Sequence, residues 1–254
     1  MIFDSHIHSS FSSDSKMRIE DAIKESRKKD IGLIITDHID LNYPGERFKF
    51  DIGDYLNQYD KYKSSSLLIG IEIGMTLDFI NENKAIADNF DLDQIIGSQH
   101  SVGKNDLYFP DYYQGITYKE AVEGYFREII NCLRTHSYID TLGHIDYIAR
   151  YAPVEDREIY YDIYHDLIDE VIKTCLDTNT VLEINTRRFG VSTAFDNLQR
   201  IYSRYKELGG KYVTIGSDAH NTETIAKNLK EALDLSELCN LKPVYFKNRK
   251  PQFF

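Results

Sequence analysis

Cysteine is scarce in this chain. Cys132, Cys175 and Cys239 are the only three in 254 residues, far apart and odd in number. They exclude a disulfide framework, and the lack of any C-x-x-C pair argues against a sulfur-ligated metal. Such usage suits a reducing compartment, so a cytoplasmic protein is expected. Long apolar runs are missing too. None approaches the roughly 18–20 residues that cross a bilayer, and no basic leader precedes the first apolar run. Neither a membrane anchor nor a secretory signal is expected.

Positive charge is in deficit, with 30 Lys and Arg against 41 Asp and Glu and a formal net charge of −11. That balance lacks the clustered cations that capture nucleic acid, so no nucleic-acid partner is expected. It would also repel a phosphorylated substrate unless bound cations reversed the local field. Three divalent ions would add roughly +6 in one place. Two short basic stretches, Arg27-Lys28-Lys29 and Lys247-Asn248-Arg249-Lys250, read as solvated helix or tail surface. No linker, internal repeat or low-complexity segment interrupts the chain, so residues 1–254 are expected to form one domain.

What the chain does have is alternation. Short runs rich in Ile, Leu and Val lie near 2–6, 32–36, 67–72, 94–98, 139–143, 181–184 and 212–216. They show little period-2 patterning, as strands buried on both faces do. Helical patterns fall between them. Near 117–133, Thr117 and Glu120 form a capping box ahead of an apolar stripe through Ala121, Val122, Tyr125, Phe126, Ile129 and Ile130. A second stripe runs near 157–176. Seven β-α units predict an α/β fold, a distorted (β/α)7 barrel, with an open doubly wound sheet as the alternative. Two connections, near 40–53 and 101–116, are long and carry Gly, Pro and aromatics; both are positioned to shape a pocket.

Six of the eight histidines sit where these runs end. The series is Asp4-Ser5-His6-Ile7-His8, Thr36-Asp37-His38, Gly70-Ile71-Glu72, Gly97-Ser98-Gln99-His100, Gly143-His144-Ile145-Asp146 and Gly216-Ser217-Asp218-Ala219-His220. Barrel enzymes carry their chemistry at the carboxyl ends of strands. Positions i and i+2 of a strand point the same way, so His6 and His8 can reach one ion, as can Asp218 and His220. Glu72 ends a run whose burial makes a carboxylate costly unless it is paired or bound to a cation. Asp14 lies in a Ser-rich loop and, taken alone, reads as a turn residue. His136 and His165 fall in or beside helices, off the apolar stripes, and are expected on the surface.

These motifs, in this order, resemble those of the polymerase and histidinol phosphatase (PHP) superfamily over residues 2 to about 235. The resemblance implies a barrel with up to three divalent ions, zinc, manganese or iron, at the carboxyl ends of its strands. It implies that His6, His8, Glu72 and Asp218 hold one ion. Glu72 would bridge to a second ion on His100 and His144, while Asp14, His38 and His220 hold a third. Within the superfamily the chain looks most like the stand-alone histidinol-phosphate phosphatases of histidine biosynthesis. Arg150, in the run Gly143 to Tyr151, is similar to the arginine that reaches phosphate in that branch. Asn185, in Glu183-Ile184-Asn185-Thr186, matches the branch's sixth strand, and Arg187 or Arg188 would supply the second phosphate contact.

The expected reaction is therefore metal-dependent hydrolysis of a small phosphomonoester. Bound ions would acidify water and neutralise charge on phosphoryl oxygens. Arg150 would clamp the phosphate with planar donors, and Asp218 or His220 would protonate the leaving alkoxide. Three other readings keep the same residues. They are a phosphoesterase acting on nucleotides or nucleic acid, a phosphotyrosine phosphatase, and a PHP domain that binds metal without catalysis.

Overall fold

The computed structural model describes residues 1–254. Seven parallel strands follow one another in a single sheet: β1 (Phe3–Ile7), β2 (Gly32–Ile39), β3 (Leu67–Gly74), β4 (Ile95–Ser98), β5 (Thr141–Leu142), β6 (Val181–Asn185) and β7 (Tyr212–Gly216). Burial explains their composition. Leu33, Ile34, Ile35, Ile69, Ile71 and Ile96 are fully buried, with apolar neighbours on both faces, so no polar side chain alternates with them.

The sheet closes on itself. Ile7 bridges Ala219 in parallel, the His8 N–H donates to the Ala219 carbonyl, and the Asp218 N–H donates to the His6 carbonyl, each at 2.8 Å. First and seventh strands meet only here, at their carboxyl ends. Closure therefore draws His6, His8, Asp218 and His220 to one point.

Eight helices complete the units: α1 (Ile19–Lys29), α2 (Ile52–Tyr59), α3 (Ile80–Asn89), α4 (Tyr118–Thr135), α5 (Ile148–Tyr151), α6 (Tyr161–Asp177), α7 (Ser192–Glu207) and α8 (Leu229–Leu238). On α4 the Thr117 hydroxyl accepts from the Glu120 N–H while Glu120 accepts from the Thr117 N–H. Its apolar stripe, Ala121 through Leu133, is buried. α6 starts later than its periodicity suggests, because residues 152–160 run irregularly along the barrel's rim.

Two expectations need correction. Lys247-Asn248-Arg249-Lys250 is neither helix nor tail. It turns a hairpin between β8 (Lys242–Lys247) and β9 (Lys250–Phe253), with Asn248 and Arg249 both at positive φ, 48° and 62°. Such a two-residue turn matches the twist of paired strands. β8 pairs with the start of β7, and Tyr245 stacks on Phe3 at 4.0 Å. The hairpin thus covers the amino-terminal end of the barrel, where Arg249 Nε donates to Asp140 Oδ2 at 2.5 Å. His136 is likewise not on the surface. It caps α4 fully buried, its N–H and its ring Nδ1 both directed at the Cys132 carbonyl. Its imidazole is pushed below the ordinary histidine range by burial.

Candidate metal centre

Glu72, fully buried at the end of β3, is the hub of the strand-end series. Its Oε2 lies 2.7 Å from His38 Nδ1, 3.2 Å from His6 Nε2 and 3.5 Å from His8 Nε2. Its Oε1 lies 2.9 Å from His144 Nε2 and 3.3 Å from His100 Nε2. Asp218 joins from β7, with Oδ1 3.3 Å from His8 Nε2 and 4.0 Å from His6 Nε2. Asp14 sits at the rim, its Oδ2 3.0 Å from His220 Nε2 and 3.8 Å from His38 Nε2. All nine residues expected to ligate metal come together at one end of the barrel.

The subdivision is less separable than three independent sets. Four groups have ligand atoms within 4.8 Å of one another: His6, His8 and Glu72; His6, His144 and Asp218; His38, Glu72 and His100; and His8, His38 and His220. His38 therefore faces Glu72 and His100 as well as Asp14 and His220. The rings of His8 and His38 stack at 4.1 Å, which ties the outer group to the inner one.

The cluster is chemically fit for cations. Among its atoms, His6 Nε2, His8 Nε2, His38 Nδ1 and Glu72 Oε2 are buried and make no aligned hydrogen bond. They crowd together instead of pairing. Leaving one such group unsatisfied costs about 1–3 kcal/mol, and convergent lone pairs aimed at a shared point are what an ion requires. Burial alone would raise the Glu72 carboxyl, but His38, His6 and His100 more than offset it and hold it well below the usual carboxylate range. Asp218 follows the same logic, with burial overcome by Arg150 and His6. Burial, together with the neighbouring His38 and His220, holds His8 well below the ordinary histidine range, in the neutral form that a metal ligand needs.

Three supporting residues are not among those the sequence singles out. His6 Nδ1 lies 2.7 Å from Glu183 Oε1, and the other Glu183 oxygen accepts the His144 N–H at 2.7 Å. Asp40 contacts His100 Nδ1 through both oxygens, at 3.1 and 3.2 Å. Tyr147 packs between His100 and His144, with centroids 4.7 and 4.9 Å away. Carboxylates behind metal-binding histidines fix ring orientation and raise ligand basicity. Two of the three carry a signal in the sequence. Glu183 is a carboxylate inside an apolar run, as Glu72 is, and Asp40 follows His38 at i+2.

Glycine makes room for these pairs. A Cβ on Gly216 would stand 2.2 Å from Glu183 Oε1 and 2.4 Å from the His6 Cβ; one on Gly74 would stand 1.7 Å from Asp40 Oδ1. Asp218 itself adopts φ +55°, a left-handed conformation that aspartate tolerates better than most residues and that directs its side chain into the cluster.

The arginines divide. Arg150 on α5 is buried against the cluster, with Nη1 donating to Asp218 Oδ2 at 2.6 Å and Nη2 to Asn185 Oδ1 at 3.0 Å. Arg187 approaches the same residue from the loop after β6, Nη1 donating to the Asp218 carbonyl at 2.7 Å, and remains half exposed. Arg188 goes elsewhere: its terminal nitrogens are taken by Asp146 at 2.8 Å and Glu158 at 2.5 Å. Above the cluster opens a cavity of about 310 Å³, walled by the two long connections and by Tyr147 and Tyr151. Its floor includes Asp14, His38 and His100.

A closed parallel barrel with a histidine–carboxylate cluster at its carboxyl end defines a class of metal-centred barrel proteins. A model of the PHP domain family matches residues 4–187. The chain belongs to the PHP domain family. It is 51% identical over 251 residues to a probable histidinol-phosphatase of Clostridium acetobutylicum, covering 98% of each chain. It is 27% identical over 227 residues to a histidinol-phosphatase of Lactococcus lactis, covering 85% of this chain and 83% of that one. The crystal structure of histidinol phosphate phosphatase from Lactococcus lactis, complexed with zinc, L-histidinol and phosphate, matches with a TM-score of 0.93 at 25% identity, covering 99% and 98% of the two chains.

Proposed function

We propose that this protein is a metal-dependent phosphomonoesterase that hydrolyses L-histidinol phosphate to L-histidinol and phosphate, in the cytoplasm. The observation that carries the reading is the convergence of five histidines on the two oxygens of buried Glu72. A solved relative in complex with zinc, L-histidinol and phosphate supports the substrate. No helix is long and apolar enough to cross a membrane, and all three cysteines are free and buried.

Up to three divalent ions would be held by His6, His8, Asp14, His38, Glu72, His100, His144, Asp218 and His220, with zinc favoured by the relative's contents and manganese or iron compatible with the donor set. Such ions, when bound, polarise phosphoryl oxygens and acidify water near neutral pH. Arg150 and Arg187 flank Asp218 and clamp the phosphate from one side with planar donors. Asn185 holds Arg150 in that orientation. Glu183 and Asp40 keep His6 and His100 aimed inward. Asp218 or His220, beside the two arginines, would orient a water that supplies the proton to the leaving alkoxide. Despite its burial, the Asp218 carboxyl is itself held ionised by Arg150 and His6 and has no proton to give. The cavity above the cluster, lined half by aromatic rings and half by charged and polar groups, would receive the organic half.

The test is a phosphate-release screen of histidinol phosphate against phosphotyrosine peptides, mononucleotides and other phosphomonoesters, with metal analysis of the purified protein. We expect histidinol phosphate to lead by kcat/KM, and His100→Ala to lower kcat by several orders of magnitude, of the size seen when a positioned catalytic group is lost. Faster turnover of any other class would refute the substrate; undiminished activity in His100→Ala would refute the site.

A further inference from the structure

The Ser-rich loop after β1 supplies Asp14 to the cluster, while two of its serines turn the other way, onto Asp37. Asp37 precedes His38 on β2 and is fully buried. Its Oδ1 accepts the Ser9 N–H at 2.7 Å, the Ser12 N–H at 3.1 Å and the Ser12 hydroxyl at 2.6 Å. Its Oδ2 accepts the Ser9 hydroxyl at 2.6 Å. Four serine donors thus satisfy a carboxylate whose burial would otherwise be costly. On the far side of Asp14, Ser15 Oγ lies 3.1 Å from the His8 carbonyl oxygen and 3.0 Å from that of His220. Asp14 is held between two anchored serines.

Ser12 Oγ has three polar neighbours and one proton. It lies 2.6 Å from Asp37 Oδ1, 3.0 Å from the His38 backbone nitrogen and 3.2 Å from His8 Nδ1. Asp37 Oδ1 already takes two amide protons, so it has none to give and must receive the hydroxyl's. The His38 N–H can only donate. His8 Nδ1 is left facing a lone pair, which admits it only as a donor. In a neutral His8 ring the proton therefore sits on Nδ1. The Nε2 lone pair then faces Asp218 Oδ1 at 3.3 Å and Glu72 Oε2 at 3.5 Å, where an ion would stand. With the proton on Nε2 instead, the ring would offer the cluster a donor and no ligand.

We infer that Ser12, anchored on buried Asp37, is a positioning residue of the metal centre: it fixes the His8 proton on Nδ1 and so presents Nε2 to an ion. The same hydroxyl takes the His38 N–H, which ties together the two ligands whose rings stack at 4.1 Å. Ser12 touches neither ion nor substrate. The inference rests on the metal-centred reading above and is indifferent to which phosphoester is cleaved.

Ser12→Ala in the full-length chain tests this, with zinc as the probe. Titration against a competing chelator should show zinc bound about 10- to 100-fold more weakly than by wild type. The metal-stripped variant should melt less than about 10 °C below the stripped wild type, as the loss of one buried hydroxyl predicts. A solely structural role would lower Tm and leave zinc affinity unchanged, and that result would overturn the assignment. Long-range proton–nitrogen NMR of the imidazole rings reads the tautomer itself, with the His8 signals assigned by their absence in His8→Gln. In the stripped wild type at mildly alkaline pH we expect Nδ1–H on His8, and in Ser12→Ala a shift toward Nε2–H. An Nε2–H ring in wild type would overturn the assignment, even if Ser12→Ala does not fold. A wild-type chain that binds no zinc would refute the metal centre, and this assignment with it.

Discussion

His6 and Glu183 are 177 residues apart in the chain, and inside the barrel His6 Nδ1 lies 2.7 Å from Glu183 Oε1. The contact leaves His6 Nε2 free to face Glu72 and Asp218. Burial by itself would drive the His6 imidazole down; Glu183 and Glu72 reverse this and raise it well above the ordinary range. Glu183 therefore sets which nitrogen of His6 is presented to an ion. Glu183→Gln keeps the volume and removes the charge. We expect metal affinity to fall about 10- to 100-fold, with activity recovered in part by excess metal. Metal competition against a chromogenic chelator reads the affinity directly. Unchanged affinity would show that His6 is oriented by packing alone.

Arg187 and Arg188 are neighbours with opposite assignments. Arg187→Ala should raise KM for the phosphoester and leave thermal stability nearly unchanged, because its guanidinium is half exposed and reaches only Asp218 and the His220 ring. Arg188→Ala should do the reverse. It strands Asp146 and Glu158, both nearly buried, and breaking a buried pair costs about 3–5 kcal/mol. For a chain of this size that is a fall in Tm of roughly 6–20 °C. Steady-state kinetics and differential scanning fluorimetry on the same two preparations decide it. A large KM effect in Arg188→Ala with normal Tm would reverse the assignment.

The strand-end residues are legible in the amino-acid order itself. Each lies on a run whose burial forbids a casual polar group, and period-2 geometry pairs His6 with His8. The barrel shows because β-α alternation is local. What stays hidden depends on contacts across the chain. The β8–β9 hairpin pairs with β7 and packs Tyr245 on Phe3, so nothing near residue 245 announces it. His136 reads as polar and peripheral, yet the end of α4 turns it inward. The split between Arg187 and Arg188 follows loop geometry after β6, which has no period to read.

Chelation should both silence the enzyme and soften it. Ions that bind the folded chain at a hundred times their Kd add about 2.7 kcal/mol each, so stripping them should lower Tm by roughly 5–10 °C for every ion lost. Without ions, the crowded nitrogens and Glu72 Oε2 are left buried and unsatisfied. Adding zinc or manganese back should restore phosphate release and Tm together. Full activity in protein carrying no detectable metal would defeat the metal-centred reading.

The far end of the barrel gives a pH signature independent of the cluster. Burial raises the Asp140 carboxyl above its ordinary value, and the Arg249 guanidinium and the Ile95 N–H only partly offset this. A carboxyl raised in the folded state binds its proton more tightly folded than unfolded. Its contribution to stability is therefore present below the unfolded pKa and is lost as pH rises through the folded one. Arg249→Gln removes an offset, so the folded pKa climbs further and the charged form becomes costlier. We expect the variant to be less stable than wild type by about 2 kcal/mol at pH 8, or roughly 4–8 °C in Tm, the value discounted because Arg249 is partly exposed. Toward pH 5, as the variant's Asp140 begins to take up its proton ahead of the wild type's, the gap should narrow. Histidine ligands titrate alike in both proteins over that range and cancel in the difference. A gap that stays constant from pH 5 to pH 8 would mean that Arg249 stabilises the hairpin through packing and its bond to Tyr138, not through the Asp140 charge.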